Sequence, residues 1–114
     1  MKSYKFYIGT KVGELANTTE SASKVFTKEE VVQAIETVRA KYNEQFGEVN
    51  GVGPIFGYSL YTIDGYWQGV QETSYVLEVV NEQVMKNFVA SELKSLLLQD
   101  CIMVTEQEAE VRFL

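Results

Sequence analysis

Residues 55–80 read IFGYSLYTIDGYWQGVQETSYVLEVV. Two strand-like runs flank Asp64-Gly65 here, a pair that tolerates the positive φ of a tight turn. The spacing predicts a hairpin, with one strand over about Ile55–Ile63 and the next over about Tyr66–Val80. The second run is long for one strand, so a bulge or bend is expected, with Gly69 as its site. In its latter half Tyr75, Leu77 and Val79 share one parity, and Ser74, Val76 and Glu78 the other.

A helical period stands on either side of this hairpin. Thr27-Lys28-Glu29-Glu30 is a capping-box pattern. Phe26 and Val31 occupy the positions of a hydrophobic staple, and Val31, Ile35, Val38 and Tyr42 make one apolar stripe. Gly47 is the expected C′ residue. Gly51-Val52-Gly53-Pro54 reads as irregular. Beyond the hairpin, Asn81 is expected to cap a second helix, with Glu82 in its first turn and a stripe of Met85, Val89, Leu93 and Leu96. Val84, Phe88 and Leu97 flank that stripe.

The outermost segments alternate as strands do. Ser3–Thr10 sets Tyr4, Phe6 and Ile8 against Lys5 and Tyr7. A polar loop, Lys11–Lys24, separates it from the first helix, and loops of that length are uncommon in small domains. The last strand is expected to begin near Cys101. Ile102 and Val104 share one parity while Ala109, Val111 and Phe113 take the other, so a break near Glu106-Gln107 is expected.

The order is therefore β-α-β-β-α-β. Its simplest closure is an α+β architecture: four antiparallel strands in the order 4-1-3-2 with both helices on one face. This pattern resembles the ferredoxin-like α/β plait. The chain also resembles small uncharacterised plait proteins of bacteria and their mobile elements, which share the Tyr- and Ile-rich first strand, the polar loop and the hairpin. That resemblance implies a fold and no activity. An iron–sulfur cluster would need several cysteines, and only Cys101 is present.

Composition narrows the function classes. An apolar share of 46% over 114 residues suits one domain, 1–114, with a core that needs no disulfide or metal. The net charge of −6 repels phosphate backbones, and the ten Lys and Arg residues are scattered, so nucleic-acid binding is not expected. No long apolar run suggests a signal peptide or membrane helix, and the expected setting is cytoplasmic. The chain has no histidine, which removes Ser-His-Asp and Cys-His arrangements and the usual zinc sets. No cofactor or metal is expected.

Four segments could carry a site. Asp64, Tyr66 and Trp67 could hold a flat ligand or anchor a partner, although cross-strand aromatic packing is the stronger reading. Thr10 and Lys11 lie in a post-strand loop, Gly9 to Glu14, without the Gly-Lys-Ser/Thr ending of a phosphate loop. Cys101 follows Asp100 at a helix end, where charge and dipole both oppose thiolate formation, so a buried small side chain is expected. Glu106, Glu108 and Glu110 could bind a cation, but a solvated, charge-protected edge strand is the better reading.

Strand direction puts the Lys11–Lys24 loop, the Asp64–Trp67 hairpin and the Gln99–Cys101 link at one end. The uncovered sheet face would carry Lys5, Tyr7, Tyr61, Val76 and Glu78, too apolar for solvent and too polar for a core. Tyr7, Tyr61 and Val76 are therefore expected to form a homodimer face. The resulting expectation is a non-enzymatic interaction or accessory protein, with an unidentified protein partner at the loop end. A small-molecule-binding regulatory domain ranks second. An acidic inhibitor imitating nucleic acid and a cofactor-independent enzyme on a dimeric plait follow.

Overall fold

The computed structural model describes residues 1–12, 24–67 and 70–114. The elements are β1 (Lys2–Gly9), β2 (Lys11–Val12), β3 (Lys24–Val25), α1 (Lys28–Phe46), β4 (Ser59–Trp67), β5 (Val70–Asn81), α2 (Lys86–Leu96) and β6 (Met103–Glu108). The main sheet runs β4-β5-β1-β6, antiparallel throughout, and β2 and β3 form a small separate ribbon. This is the expected plait order.

Both helices lie on one face because one parity of each strand is apolar. Tyr4, Phe6 and Ile8 of β1, with Leu77 and Val79 of β5, form a single buried cluster with Val31, Ile35, Val38 and Tyr42 of α1 and Val89, Leu93 and Leu97 of the α2 region. Across the strands Phe6 stands opposite Leu77 and Val104, and Tyr4 opposite Val79. Tyr42, Phe46 and Phe88 join the two helices, with ring centroids 5.0 to 6.1 Å apart in tilted and edge-on arrangements. Each such pair adds about 0.5–1.5 kcal/mol beyond its buried area.

The first helix starts as its sequence dictates. The Glu30 amide donates to Thr27 Oγ1 at 3.2 Å, and the Thr27 amide donates to Glu30 Oε1 at 3.2 Å. Gly47 ends the helix with a right-handed φ of −59°. Its use there is spatial, since an added Cβ would clash with the Asn43 carbonyl oxygen. The irregular run that follows is pinned to α1: Asn43 Nδ2 donates to the Ile55 carbonyl at 3.0 Å, and the Ile55 amide donates to Asn43 Oδ1 at 2.8 Å. Gly51 and Gly53 take φ of +86° and +73°, a region that favours glycine.

Several boundaries differ from expectation for physical reasons. Asp64-Gly65 is not the turn. Both residues continue β4, opposite Thr73 and Glu72, and pairing runs on to Trp67 opposite Val70. Residues 68–69, and with them the expected bulge at Gly69, lie outside the described residues. Asn81 does not cap the second helix, which starts four residues later with Met85 as N-cap. The Asn81 amide is committed elsewhere, donating to the Pro54 carbonyl at 3.2 Å and accepting from the Glu82 amide at 2.9 Å. The buried stripe is accordingly Val89, Leu93 and Leu97, spaced by four, while Met85 and Leu96 are exposed. Cys101 is exposed rather than buried. The parity change after β6 is real in sequence but lies beyond the strand, which ends at Glu108.

The second helix closes with a Schellman pattern, the Gln99 amide donating to the Lys94 carbonyl at 3.0 Å. Its left-handed position is Leu98, φ 52°, where a Cβ is unfavourable. Leu98→Gly should therefore raise stability by about 1 kcal/mol, read as a higher urea midpoint at unchanged slope. A lower midpoint would contradict the assigned helix end.

A second prediction concerns Glu106 on the edge strand. Lys86, at the start of α2, hydrogen-bonds its carboxylate, and Lys2 lies 3.5 Å away. The hydrogen bond from Lys86 holds the Glu106 carboxyl below the usual carboxylate range, and the same bond raises Lys86. A depressed carboxyl contributes stability above its unfolded pKa and loses it as pH falls through the folded value. A raised lysine contributes below its unfolded pKa and loses it as pH rises through the folded value. The bridge thus supports the fold at neutral pH and fades at both extremes. Thermal melts from about pH 7 down to about pH 2 should show a shallower acid loss for Glu106→Gln than for the parent chain.

Candidate functional site

The face of the sheet away from the helices is built by the other strand parity. Register aligns Met103, Tyr7, Val76 and Tyr61 in one row across β6, β1, β5 and β4. The next row toward the Lys2 end sets Thr105, Lys5, Glu78 and Ser59 side by side. Val76 stands outside the helix-side cluster and yet is 0% exposed between its neighbours Tyr7 and Tyr61, whereas Tyr61 is 39%, Ile63 39% and Met103 55% exposed. An apolar band therefore crosses all four strands, and a polar row borders it.

The polar row contains a group that sequence reasoning missed. Ser3 is buried, and its hydroxyl donates to Glu78 Oε2 at 2.6 Å. That bond orients one carboxylate beside the aromatic row. The shared parity of Ser3, Lys5 and Tyr7 was the only signal for it, because Ser3 opposes Val80 and meets Glu78 diagonally. A carboxylate next to two phenol rings can receive a cation, and the ring faces can stack on a flat heterocycle.

The loop end is a hydrogen-bonded junction. Thr10 is buried; its hydroxyl donates to the Thr73 carbonyl at 3.2 Å, and its own carbonyl accepts from the Phe26 amide at 2.9 Å. Thr73 Oγ1 donates to Asp64 Oδ1 at 2.9 Å. Gln99 Nε2 donates to the Lys11 carbonyl at 3.3 Å. Thr10, Lys11, Asp64 and the 99–101 link thus meet at one end, as strand direction required. The side chains of Tyr66 and Trp67 lie outside the described ones, as does most of the 11–24 loop.

Other candidates are accounted for by their partners. Glu106 is held by two lysines, and Glu110 accepts from Arg112 Nε at 2.8 Å. Among the described residues no group of three acidic or cysteine ligands could hold a metal ion, and no buried side-chain nitrogen or oxygen lacks a partner. No helix among them is long and apolar enough to cross a membrane. Tyr58, also missed from sequence, donates to Glu36 Oε1 at 3.0 Å while Arg39 stands 5.9 Å over its ring. Burial and then the Glu36 bond push the Tyr58 hydroxyl up. The apolar cavity beside it, lined by Ile35, Ile55, Leu77 and Val89, measures about 20 Å3 and has room for one water at most.

No family model matches the chain, and no curated protein matches it. Two solved structures are similar. A phage SAM lyase in its apo state superposes with a TM-score of 0.63 at 21% identity, covering 93% of this chain and 78% of the lyase chain. A de novo designed protein with ferredoxin fold gives a TM-score of 0.37 at 13% identity, covering 98% of this chain and 88% of the designed one.

Proposed function

We propose that the chain associates with itself through the open sheet face and binds SAM there, breaking it down as a lyase. The observation that carries this reading is the aromatic row beside the Ser3-oriented Glu78 carboxylate. SAM joins a sulfonium cation to a flat adenine, so one end wants a carboxylate or a ring face and the other wants stacking. The acidic balance of the chain favours a cationic ligand over a phosphorylated one. The fold shared with the phage lyase supplies the ligand to test first.

The chemistry is within reach of a chain without histidine. The sulfonium sulfur takes the bonding electron pair and leaves as a neutral thioether. The electrons that replace it come from within the substrate: its own carboxylate oxygen forms a C–O bond to the carbon as the C–S bond breaks, and no proton has to be moved. No water needs activating. The protein's task is to hold the substrate and exclude solvent, which a single exposed sheet face does poorly and two apposed faces do well. That is why association and binding belong to one reading.

A second reading is the non-enzymatic accessory protein, docking a partner through the loop end. It is favoured by the small size of the apolar cavity beside Tyr58, about 20 Å3, which has room for nothing larger than one water.

Light scattering after size exclusion, with SAM turnover followed by mass spectrometry, tests the proposal. The expected result is a mass at a multiple of 12.9 kDa, with loss of SAM and appearance of a thioether. Glu78→Gln and Tyr61→Ala should each lower turnover roughly 10- to 100-fold, the worth of one interaction with a charged group. Binding that raises the melting temperature without turnover would convert the reading to a regulatory domain. A monomer at high micromolar concentration with no thermal response to SAM would overturn it in favour of the accessory protein.

A further inference from the structure

Lys5 and Glu78 stand directly opposite each other on the two central strands and do not bond. The register pairs them across β1 and β5, on the open side of the sheet. Opposite charges in such positions lie about 5 Å apart at Cβ and readily form a cross-strand pair. Elsewhere they do so: Lys2 and Lys86 hold Glu106, and Lys41 holds Glu92. Lys5 is half-buried, and among the described residues its ammonium has no hydrogen bond or ion pair.

The cause is Ser3. Its hydroxyl is buried and must find an acceptor. It donates to Glu78 Oε2 at 2.6 Å, a short bond of the charge-assisted kind. Ser3 opposes Val80, so this bond draws the carboxylate along the strand, toward the Lys2 end and away from Lys5. Glu78 Oε1 has no partner among the described residues. An ammonium and a carboxylate oxygen thus stand side by side with bonding capacity to spare. They are too far apart for an ion pair and near enough for one small group to touch both.

A ligand that satisfies both carries an anionic and a cationic head on neighbouring atoms. An α-amino acid does so: its carboxylate suits Lys5 and its ammonium suits Glu78 Oε1. A phosphate would satisfy Lys5 and be repelled by Glu78, and a simple amine the reverse. Tyr7 and Val76 follow two residues along the same strands, roughly 7 Å away. A ligand with its amino-acid head on the polar row therefore lays its tail over the aromatic row.

We infer that Lys5 and Glu78 form the subsite for the amino-acid end of SAM, with its adenine over the Tyr7–Tyr61 row. This rests on the reading of the open face as a SAM site, and it fixes the direction in which SAM lies there. Lys5 anchors the substrate carboxylate through one oxygen and leaves the other to close onto carbon. The sulfonium then falls at the border of the two rows, against the ring faces.

Calorimetric titration with two unreactive thioether relatives of SAM tests the inference. S-adenosylhomocysteine keeps the amino-acid end and the adenine; methylthioadenosine keeps only the adenine half. The first should bind about 10- to 100-fold tighter, the worth of bonds to charged groups. Lys5→Met should abolish that advantage and leave methylthioadenosine binding as before, while Lys5→Arg should retain it. Lys5→Met should also leave the melting temperature of the ligand-free chain unchanged, because the ammonium bonds nothing in the fold. Equal binding of the two compounds, or an advantage that survives Lys5→Met, would overturn the inference and leave SAM binding standing. A drop in the mass of the ligand-free chain on Lys5→Met, seen by light scattering, would overturn it in favour of a Lys5–Glu78 bridge between copies. Binding of neither compound, with no SAM turnover, would remove the SAM reading itself and the subsite with it.

Discussion

The pairing of β1 with β5 in the middle of the sheet is the constraint on which the rest depends. It sets Phe6 opposite Leu77 and Tyr4 opposite Val79, and so puts the apolar parity of both central strands on one side. Both helices must then cover that side, since their stripes have nowhere else to be buried. A slip of one residue would turn Tyr7 and Val76 inward and Phe6 outward, exchanging the two faces at once. The helix-side core and the open-face row are two consequences of a single register.

That register also explains why the functional candidates share a surface. Tyr7, Val76 and Tyr61 come from three strands far apart in sequence, yet they stand shoulder to shoulder. Ser3 and Glu78 join them because the neighbouring row has the same parity. A sheet face with shielded Val76 at its centre and exposed aromatic and aliphatic groups around it is half a core. The completion proposed for it, by a second copy and a ligand, would answer one physical need, removal of apolar surface from water.

Where sequence reading and structure part, the competing interaction can be named. Asp64-Gly65 has the composition of a turn, but a turn there would abandon the four cross-strand pairs that run from Asp64 opposite Thr73 to Trp67 opposite Val70. Asn81 has the chemistry of a helix cap, but its side chain tethers the Pro54 carbonyl instead, and the helix waits until Met85. Cys101 follows an apolar run and is nonetheless exposed, because the chain turns at Leu98 through a left-handed residue and presents the next segment outward. For Asn81 local propensity yielded to a contact from a distant part of the chain.

The capping box at Thr27, the stripe from Val31 to Tyr42 and the alternation of the first strand are local, repeat every two or three to four residues, and could be read before any folding. They were enough to give the element order, and the order leaves few ways for four strands and two helices to close. The diagonal Ser3–Glu78 bond and the Tyr58–Glu36–Arg39 group are not periodic. They arise from register and packing, and only the tertiary arrangement brings such partners together.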